Sequence, residues 1–457
     1  MSQHTHSSNV TSGFVDLATM DEIETYMYGG DQATAYFVRD TRKSTWFTQV
    51  PVILSRASGS PAFGQDWSVT VSRAGDYLMH TWLRIHIPKV DVADANKRIR
   101  WTRNLMHNLI RECSISFNDL PAARFDNFHL DFWNAFTMPA SKKVGYDNMI
   151  GNIDALTQGA VSLPAATLNL PLPFFFTRDT GVALPTAALP YNEIRINFCF
   201  RKWEELLIVE PHPHVAGTAP YSMATSADIV GGAVVLEHAN VWSNYALVAQ
   251  AERKRMGLEP RDILIEQVQK SPHQTFNPTN NPNPSFDIRF SHAIKALFFA
   301  VRNKTCESEW SNYSTAAPIR NVNGRLSWQH AGAVDPITNT SLIYENTHRL
   351  TAMGSDFFSL MTAFYQPEAT IPTDTGYHMY SYSLRFTDVD PQGSTNFGKL
   401  SNVSISPMAS DESKLGSAGG GAVGSGMDYT QKYEFVVVAL SNTIIRISGG
   451  ALGFPVL

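Results

Sequence analysis

The stretch that decides the fold reads IRINFCF and covers Ile194–Phe200. Every second residue in it is a large apolar one, and Arg, Asn and Cys stand between them. Successive side chains of a β-strand point to opposite faces of the sheet. The alternation therefore predicts a strand with one face in a core and the other face wetter.

The same period of two recurs in both halves of the chain. It is found in Trp67–Val71, Leu83–Ile87, Phe286–Phe290 and Val403–Ile405. Near the C-terminus, Lys432–Leu440 and Thr443–Ser448 are predicted to form a final pair of strands. Many short strands, few helices and long loops are typical of sandwich or jelly-roll architecture.

We therefore predict an all-β protein of two tandem antiparallel jelly-roll (β-sandwich) domains, with an N-terminal arm and short inserted helices. Weak patterning and several Pro and Gly residues make residues 212–231 the predicted linker. This assigns residues 1–45 to the arm, 46–211 to the first jelly roll and 232–457 to the second.

Two helices are predicted outside the strands. Residues 1–12 are expected to be disordered, and a short helix follows, with Thr19 and Glu22 as a capping box and Gly29-Gly30 as its end. Its apolar residues Met20, Ile23 and Met27 share one face. The second helix carries phenylalanines at three- and four-residue spacing, and we interpret these side chains as core filling: Phe125, Phe128, Phe132 and Phe136.

The loops are rich in turn-forming residues. Pro278–Pro284 is dominated by Asn and Pro, and Gly416–Gly426 is nearly all Gly, Ser and Ala. Such segments bury little apolar surface, so both loops are predicted to be exposed and tolerant of insertion. Gly416–Gly426 lacks the Lys-Ser/Thr pair of a phosphate-binding P-loop, which favours a surface loop.

Composition limits the classes of function. Of 457 residues only 17% are charged, whereas soluble domains average roughly 25%, and 11% are aromatic. This balance indicates that much surface is buried, either in cores or against neighbouring subunits. With 36 Lys and Arg against 41 Asp and Glu, the net charge is −5, so no direct nucleic-acid binding is expected.

The cysteines and the first residues indicate the compartment. Cys113, Cys199 and Cys306 are few and widely spaced, which argues against a disulfide framework and fits a reducing compartment. The start of the chain is polar and lacks the apolar core of a secretory signal. We expect a soluble chain that is not secreted.

The residues that bear metal or acid–base chemistry form no convincing site. His80 and His86 lie on one predicted strand face with no nearby carboxylate, and the remaining paired histidines fall in the predicted linker or the arm. The aspartate pairs are interpreted as turn formers: Asp126 with Asp131, and Asp388 with Asp390. We therefore predict no catalytic, cofactor-binding or metal residues, no cofactor and no enzymatic activity.

Five sequons for N-glycosylation are present, and they matter only if the chain enters a secretory lumen. Their asparagines are Asn9, Asn303, Asn312, Asn339 and Asn402. The alternative function left open is a jelly-roll metal-dependent enzyme or a carbohydrate-binding protein. A metal-bound monomer would favour that alternative, and a metal-free trimer would favour a structural assembly protein.

Several long blocks closely resemble iridovirus major capsid proteins. They are spread over nearly the whole chain and are far more specific than short motifs. The blocks are Ser12–Thr19, Met27–Gly30, Trp101–Asn108, Asn148–Asn152, Leu170–Pro185, Leu189–Arg195, Phe286–Ala293, Gly393–Gly398 and Gly453–Leu457.

The resemblance implies a double jelly-roll capsid protein of a large nucleo-cytoplasmic DNA virus. It implies a late protein that forms homotrimeric capsomers of pseudo-hexagonal outline, which tile an icosahedral shell in the virion over an internal membrane. The implied partners are further copies of the chain, minor capsid proteins and the inner membrane layer, with assembly in the host cytoplasm. Two similar barrels give one subunit two near-equivalent faces, so three subunits around a threefold axis present six.

Overall fold

The computed structural model describes residues 5–39, 43–212, 221–316, 318–320, 326–328, 334–418 and 430–454. The chain separates into two compact units, Met1–Trp46 and Phe47–Leu457. Among the described residues, no helix is both long and apolar enough to cross a membrane.

The N-terminal unit contains two helices, α1 Thr5–Ala18 and α2 Glu22–Met27. The expected disorder of residues 1–12 is thus wrong from Thr5 onward. The expected capping box is also wrong, because the Asp21 carboxylate caps α2 by accepting from the backbone N–H groups of Ile23 and Glu24, both at 3.0 Å. Aspartate satisfies these helix-start donors as well as threonine does, and it lies directly before the helix.

The second unit is built from antiparallel strands. In chain order they are β1 Phe47–Ile53, β2 Ser55–Ser58, β3 Asp66–Thr70, β4 Tyr77–Ile87, β5 Val90–Asp91, β6 Lys97–Trp101, β7 Ile110–Phe117, β8 Leu120–Phe125, β9 Ser162–Leu163, β10 Ala166–Pro171, β11 Ile194–Phe200, β12 Leu207–Pro211, β13 Ser222–Met223, β14 His238–Val248, β15 Arg261–Lys270, β16 Gln274–Phe276, β17 Phe286–Asp287, β18 Ala293–Asn303, β19 Pro318–Arg320, β20 Leu326–Trp328, β21 Ile337–Tyr344, β22 Thr347–Gly354, β23 His378–Ser381, β24 Thr395–Asn396, β25 Val403–Ala409, β26 Tyr433–Ser448 and β27 Ala451–Gly453.

Short helices connect these strands. They are α3 Leu105–Leu109, α4 Asn127–Thr137, α5 Ala140–Ile150, α6 Asp154–Thr157, α7 Gln250–Leu258, α8 Thr362–Tyr365 and α9 Asp411–Ser417. A π-helical turn, Phe357–Met361, leads into α8. Single 3-10 turns lie at Phe175–Thr177, Thr180–Val182, Thr186–Ala188, Trp203–Glu205 and Phe397–Lys399.

The first jelly roll consists of two main sheets. One has the order β1-β14-β4-β10 and the other the order β2-β3-β11-β7-β8, with every pairing antiparallel. The deciding stretch Ile194–Phe200 is β11, and its side chains alternate between buried and partly exposed as predicted. β12 adds a smaller sheet with β6 and β13.

The predicted linker and the predicted start of the second domain are wrong. β13 pairs with β12, and Ala224 and Ile229 are buried in the first core, so the described part of residues 212–231 belongs to the first jelly roll. β14 runs antiparallel between β1 and β4, which places His238–Val248 in the first jelly roll as well. Sequence composition marks loops, whereas membership of a sheet is set by long-range hydrogen bonds.

The second jelly roll starts after α7. Its larger sheet has the order β15-β26-β18-β23, with β16, β24 and β27 attached, and its smaller sheet has the order β17-β25-β21-β22. The predicted final pair of strands is wrong, because β26 runs unbroken through Ser441 and Asn442. Both residues stay paired with β15, and the Ser441 hydroxyl donates to the Gln267 carbonyl oxygen at 3.2 Å.

The predicted loops differ in detail. Thr279–Asn283 is exposed, but Pro278 and Pro284 at its ends are buried. Gly416 and Ser417 belong to α9, and Gly416 is buried against the Gln431 side chain. The Gly419–Gly426 part of the predicted loop lies outside the described residues. The Phe286–Phe290 alternation buries all three apolar side chains, although only Phe286–Asp287 is paired as a strand.

The two jelly rolls share apolar surface. One face of β18 and β26 closes the core of the second jelly roll, with Phe299 and Phe435 among its members. The opposite face of the same two strands, which includes Phe298 and Val438, forms a separate core with α4 of the first jelly roll. The large sheet of the second jelly roll is thus buried on both faces at this place.

Candidate functional site at the junction of the jelly rolls

Helix α4 forms the apolar part of the junction. Asp126 caps it by accepting from the His129 backbone N–H at 3.0 Å, which fixes where the helix begins. Phe128, Phe132 and Phe136 are buried against the second jelly roll, which confirms the predicted core-filling role of these phenylalanines. Phe125 lies on β8 instead and is buried in the first core.

Asp131, on the same helix, is the centre of a buried polar network. Its carboxylate accepts from the first-half residues Asn104 and His107 at 3.1 and 2.7 Å. From the second half it accepts from Ser311 at 2.7 Å and Tyr313 at 2.9 Å. A buried carboxylate is tolerated only when its oxygens are satisfied, and here the donors come from both halves. The network therefore sets how the two jelly rolls meet.

Arg100 makes a second polar connection. Its guanidinium is 2.7 Å from Glu210 of the first half and 2.7 Å from Glu309 of the second, and all three side chains are almost fully buried. Burial by itself lowers the pKa of Arg100. The charges of Glu309 and the other acidic groups nearby outweigh this effect of burial, so the pKa is raised overall. The arginine therefore stays charged, and loss of either glutamate would leave its buried charge less well compensated.

A third cluster joins Arg178 to the second jelly roll. Arg178 Nε lies 2.8 Å from a Glu266 oxygen, and its guanidinium stacks 3.4 Å from the Trp133 ring centroid. Lys295 contacts the other Glu266 oxygen. Burial lowers the pKa of both Arg178 and Lys295, and Glu266 opposes that effect.

Next to this cluster, His129 is fully buried and carries an unusual cost. Among the described residues, neither of its ring nitrogens finds a hydrogen-bond partner. Burial, with a smaller contribution from the charge of Arg178, lowers the pKa of His129 to about 3. The imidazole is therefore neutral at physiological pH and acts as an apolar ring between Phe125 and Trp133.

The last contact is a pair of cation–π interactions of two arginines with one indole. Arg201 of the first half and Arg302 of the second lie 3.8 and 4.0 Å from the Trp310 ring centroid. The Trp310 indole N–H donates to the Glu205 carbonyl oxygen at 3.0 Å, which ties the 306–314 segment to the first jelly roll. Sequence reasoning missed this segment, because its polar residues follow no strand or helix period.

The titratable residues weighed from the sequence do not come together. His80 and His86 lie six residues apart on β4, about 20 Å along a strand. His86 instead contacts Thr167 at 2.9 Å and Glu237 at 3.2 Å. His212 is partly buried and lies after β12, while the side chains of His4, His6 and His214 lie outside the description. Within the described ranges, no group of three or more His, Cys, Asp or Glu residues is arranged to hold a metal.

The two members of each aspartate pair likewise do not form a common site. Asp126 and Asp131 both lie at the junction but serve different donors, since Asp126 pairs with Lys270 at 3.3 Å. Asp388 accepts from Gln392, and Asp390 is exposed. The three cysteines are free, with Cys113 and Cys306 buried, and burial raises the pKa of Cys306 to about 12.

The sequons fall in two groups. Asn303 and Asn312 are buried, and their side-chain oxygens accept from the hydroxyls of Thr305 and Ser314. Both are occupied by local hydrogen bonds and are inaccessible to an attached glycan in the folded chain. Asn9 and Asn402 are exposed, and Asn339 is partly exposed.

One part of the surface carries unusually many apolar side chains. The π-helical turn and α8 expose Leu360, Met361, Phe364 and Tyr365, the last two at 69% and 72%. Phe364 and Ile371 line the same cavity. Leu384 is held near the end of α8, because the carbonyl oxygen of the preceding residue, Ser383, accepts a hydrogen bond from the Gln366 side chain. We call Leu360, Met361, Phe364, Tyr365, Ile371 and Leu384 the α8 patch. Exposed apolar surface of this kind is typical of protein interfaces.

Two antiparallel jelly rolls in one chain, fixed together by an aromatic core and buried ion pairs, define a double jelly-roll protein. In agreement, the fold matches a chain of the PBCV-1 virus capsid with a TM-score of 0.70 over 93% of this chain and 100% of that chain, at 19% sequence identity.

The family follows from sequence comparison. Residues 35–248 match the model described as major capsid protein N-terminus, and residues 252–453 match the large eukaryotic DNA virus major capsid protein. The chain is 62% identical to the major capsid protein of Costelytra zealandica iridescent virus and 61% identical to that of Invertebrate iridescent virus 6, over 99% of each chain. It therefore belongs to the iridovirus major capsid protein family, as the resemblance implied. Its role is structural, in the virion capsid, and not enzymatic.

Proposed function

We propose that three copies of the chain form a homotrimeric capsomer of pseudo-hexagonal outline, and that these capsomers tile an icosahedral shell. The observation that carries the proposal is the junction. It fixes two jelly rolls in one rigid body through the α4 core and the buried partners of Asp131 and Arg100. Three such bodies around a threefold axis give six lobes, which suit a flat hexagonal array.

The contacts between subunits are proposed to use the α8 patch. Its large apolar side chains are left exposed by the described residues of the second unit, and a threefold ring needs a surface on each subunit that is buried by a neighbour. An open groove of about 1420 Å³ is lined in part by Trp82, Trp133 and Met138. It lies near the patch, because Ala369 and Thr370 line both this groove and the cavity that Phe364 and Ile371 line. This provides a large apolar area for contact between copies.

Exposed apolar residues of the arm support the proposed partners beneath the shell, and the free cysteines support the proposed compartment of assembly. Within the N-terminal unit, Ile23 and Met27 are exposed at 68% and 62%, which fits an arm that orders against minor capsid proteins or the inner membrane layer beneath the shell. Free cysteines throughout the chain agree with assembly in the reducing host cytoplasm.

Sedimentation of the purified full chain tests the trimer. Three chains of 50.7 kDa give a closed species of about 152 kDa. Phe364→Asp is expected to shift the chain toward monomer, because it places a charge in a buried contact. Leu258→Asp, at an exposed leucine outside the patch, serves as the matched control.

Electron microscopy of assembled particles then tests the tiling. The proposal predicts capsomers with a six-lobed outline and threefold symmetry. A stable monomer at micromolar concentration, or a Phe364→Asp variant that trimerises like the Leu258→Asp control, would contradict the proposed arrangement.

A further inference from the structure

The two jelly rolls share one strand plan, which makes their parts comparable. The sheet β1-β14-β4-β10 corresponds strand for strand to β15-β26-β18-β23, and β3-β11-β7-β8 corresponds to β17-β25-β21-β22. In each jelly roll, the connection from one sheet to the other, from β8 to β10 or from β22 to β23, carries a helix. That helix is α4 in the first jelly roll, and it is the π-helical turn with α8 in the second. The two helical segments therefore occupy equivalent places.

Within one chain, α4 covers the outer face of the large sheet of the second jelly roll. Phe132 and Phe136 pack on Phe298 of β18, with ring centroids 6.1 and 5.7 Å apart. Val438 of β26, the direct cross-strand partner of Phe298, belongs to the same core, and so does Ala363 of α8. The helix of one jelly roll thus lies on the sheet of the other, beside that jelly roll's own helix.

The equivalent sheet face of the first jelly roll carries apolar side chains that are left exposed. Trp82 of β4 and Trp242 of β14 are direct cross-strand partners, and their rings stack with centroids 6.2 Å apart. Both are partly exposed. Ile53 on β1 and Pro171 on β10 continue this row across the sheet, and both are exposed. Tryptophan is among the side chains that contribute most of the binding energy at protein interfaces.

This row of side chains leads into the open groove of about 1420 Å³. Trp82 and Pro171 line the groove together with Trp133 and Met138 of α4. In the second jelly roll, the corresponding space between the outer sheet face and α8 is filled by α4. In the first jelly roll, the described residues leave it open. A helix from another chain would therefore complete the pattern.

We propose that the α8 patch of one copy docks into this groove of the next copy. Phe364 then packs on Trp82 and Trp242, and the contact repeats the one that α4 makes on β18 and β26 within the chain. The inference rests on the proposed trimer and adds which two surfaces meet. A closed threefold ring joins two different surfaces of each subunit, because its contacts are heterologous. The α8 patch is one of these surfaces, and the groove is the other.

The spacing of residues in the α8 patch suits this place. Leu360 and Phe364 are four residues apart, and so are Met361 and Tyr365. Helix α4 has the same spacing between its buried phenylalanines. Residues four apart lie on one side of a helix. The α8 patch thus offers a neighbour the kind of apolar side that α4 buries within its own chain.

Charge complementarity favours a second copy as the occupant. Residues 350–384, which include the whole patch, contain Asp356, Glu368 and Asp374 and no Lys or Arg, and Glu368 also lines the groove. The strands β4, β10 and β14 contain Arg84 and no Asp or Glu, and Lys142 of α5 lines the groove. Arg84 and Lys142 are exposed and form no ion pair with a described residue. Opposite charges on facing surfaces fix the register of a contact and suppress wrong pairings.

Sedimentation of complementary variants of the full chain tests the proposal. Phe364→Asp disrupts the patch and keeps the groove, whereas Trp82→Asp disrupts the groove and keeps the patch. Each variant alone is expected to raise the concentration at which trimers dissociate by about thirtyfold or more, because a central aromatic contact is lost. In an equal mixture, one intact contact remains between the two variants. The mixture should therefore contain a dimer of about 101 kDa that cannot close into a ring.

Two further variants complete the experiment. Leu258→Asp, at an exposed leucine of α7 outside both surfaces, is the control. Pro171→Asp is a second groove variant at an exposed position, and it replaces Trp82→Asp in the mixture if the latter has a lowered thermal midpoint. A wild-type chain that stays monomeric would refute the proposed trimer and this contact with it. A wild-type trimer whose groove variants both trimerise like Leu258→Asp, or a mixture no heavier than either variant alone, would refute the contact and leave the trimer standing.

Discussion

Phe132→Ala tests whether the α4 core joins the two jelly rolls into one cooperative body. Phe132 is fully buried, and its ring centroid lies 6.1 Å from that of Phe298, 5.6 Å from Tyr313 and 6.0 Å from Tyr377, all in the second jelly roll. Truncation of a buried phenylalanine costs about 3–5 kcal/mol, and the surrounding strands of a double-sided sheet have little freedom to close the cavity. We therefore expect the variant to lose that much free energy of unfolding.

Denaturant unfolding of the full chain, followed by tryptophan fluorescence, gives the measurement. In wild type we expect the two jelly rolls to unfold in one transition, and in Phe132→Ala we expect the transition to split, because the docking contact is weakened. Phe37→Ala makes the same chemical change at an exposed position outside the α8 patch and should stay within about 0.5 kcal/mol of wild type. A Phe132→Ala variant as stable as Phe37→Ala would show that the α4 core contributes nothing to the docking.

Four further predictions follow from the junction, the arm and the loops. The lowered pKa of His129, about 3 against 6.5, means that the unfolded chain takes up the proton first as the pH falls, so stability is lost below about pH 6.5, by ~2 kcal/mol at pH 5. His129→Phe should flatten the pH dependence of the unfolding free energy between pH 7 and 5, and an unchanged slope would count against this. Asp131→Ala should cost about 3–5 kcal/mol in chemical unfolding, because four buried donors lose their acceptor, while Asp390→Ala at an exposed site should cost almost nothing. Deletion of residues 1–30 should leave trimer yield and thermal midpoint unchanged but reduce particle yield, and a truncated chain that fails to fold would contradict the separate N-terminal unit. A short epitope tag inserted after Asn281, in an exposed loop, should be accessible to antibody on the intact trimer, and loss of the trimer would contradict the exposure.

The local sequence pattern was sufficient to predict a strand wherever that strand has one buried face. β4 and β11 alternate as their sequences predict, because the period of the apolar residues equals the period of the strand. The phenylalanine spacing predicted α4 for a similar reason, since a helix brings residues three and four apart to one side. The interpretation of these rings as core filling was also correct.

The junction lay beyond the reach of such patterns. Arg100 and Glu309 are 209 residues apart, and Asp131 and Tyr313 are 182 apart, so no local spacing connects them. The same holds for Arg201 and Arg302, which meet only through Trp310. Polar residues in irregular segments have many turn conformations open to them, and their partners are chosen only when the jelly rolls dock.

The sequence by itself determined the two jelly rolls, because alternation of apolar residues depends only on which side of a strand faces a core. It also determined the family, through blocks such as Leu170–Pro185 that extend over nearly the whole chain. Tertiary structure alone decided that β14 belongs to the first jelly roll and that β26 continues through Ser441 as one strand. It also decided the two-sided burial of β18 and β26, where α4 covers the outer face and alternation disappears. The physical reason is that backbone hydrogen bonds are made with, and side chains are buried by, residues distant in sequence. A local pattern carries no information about which residues those are.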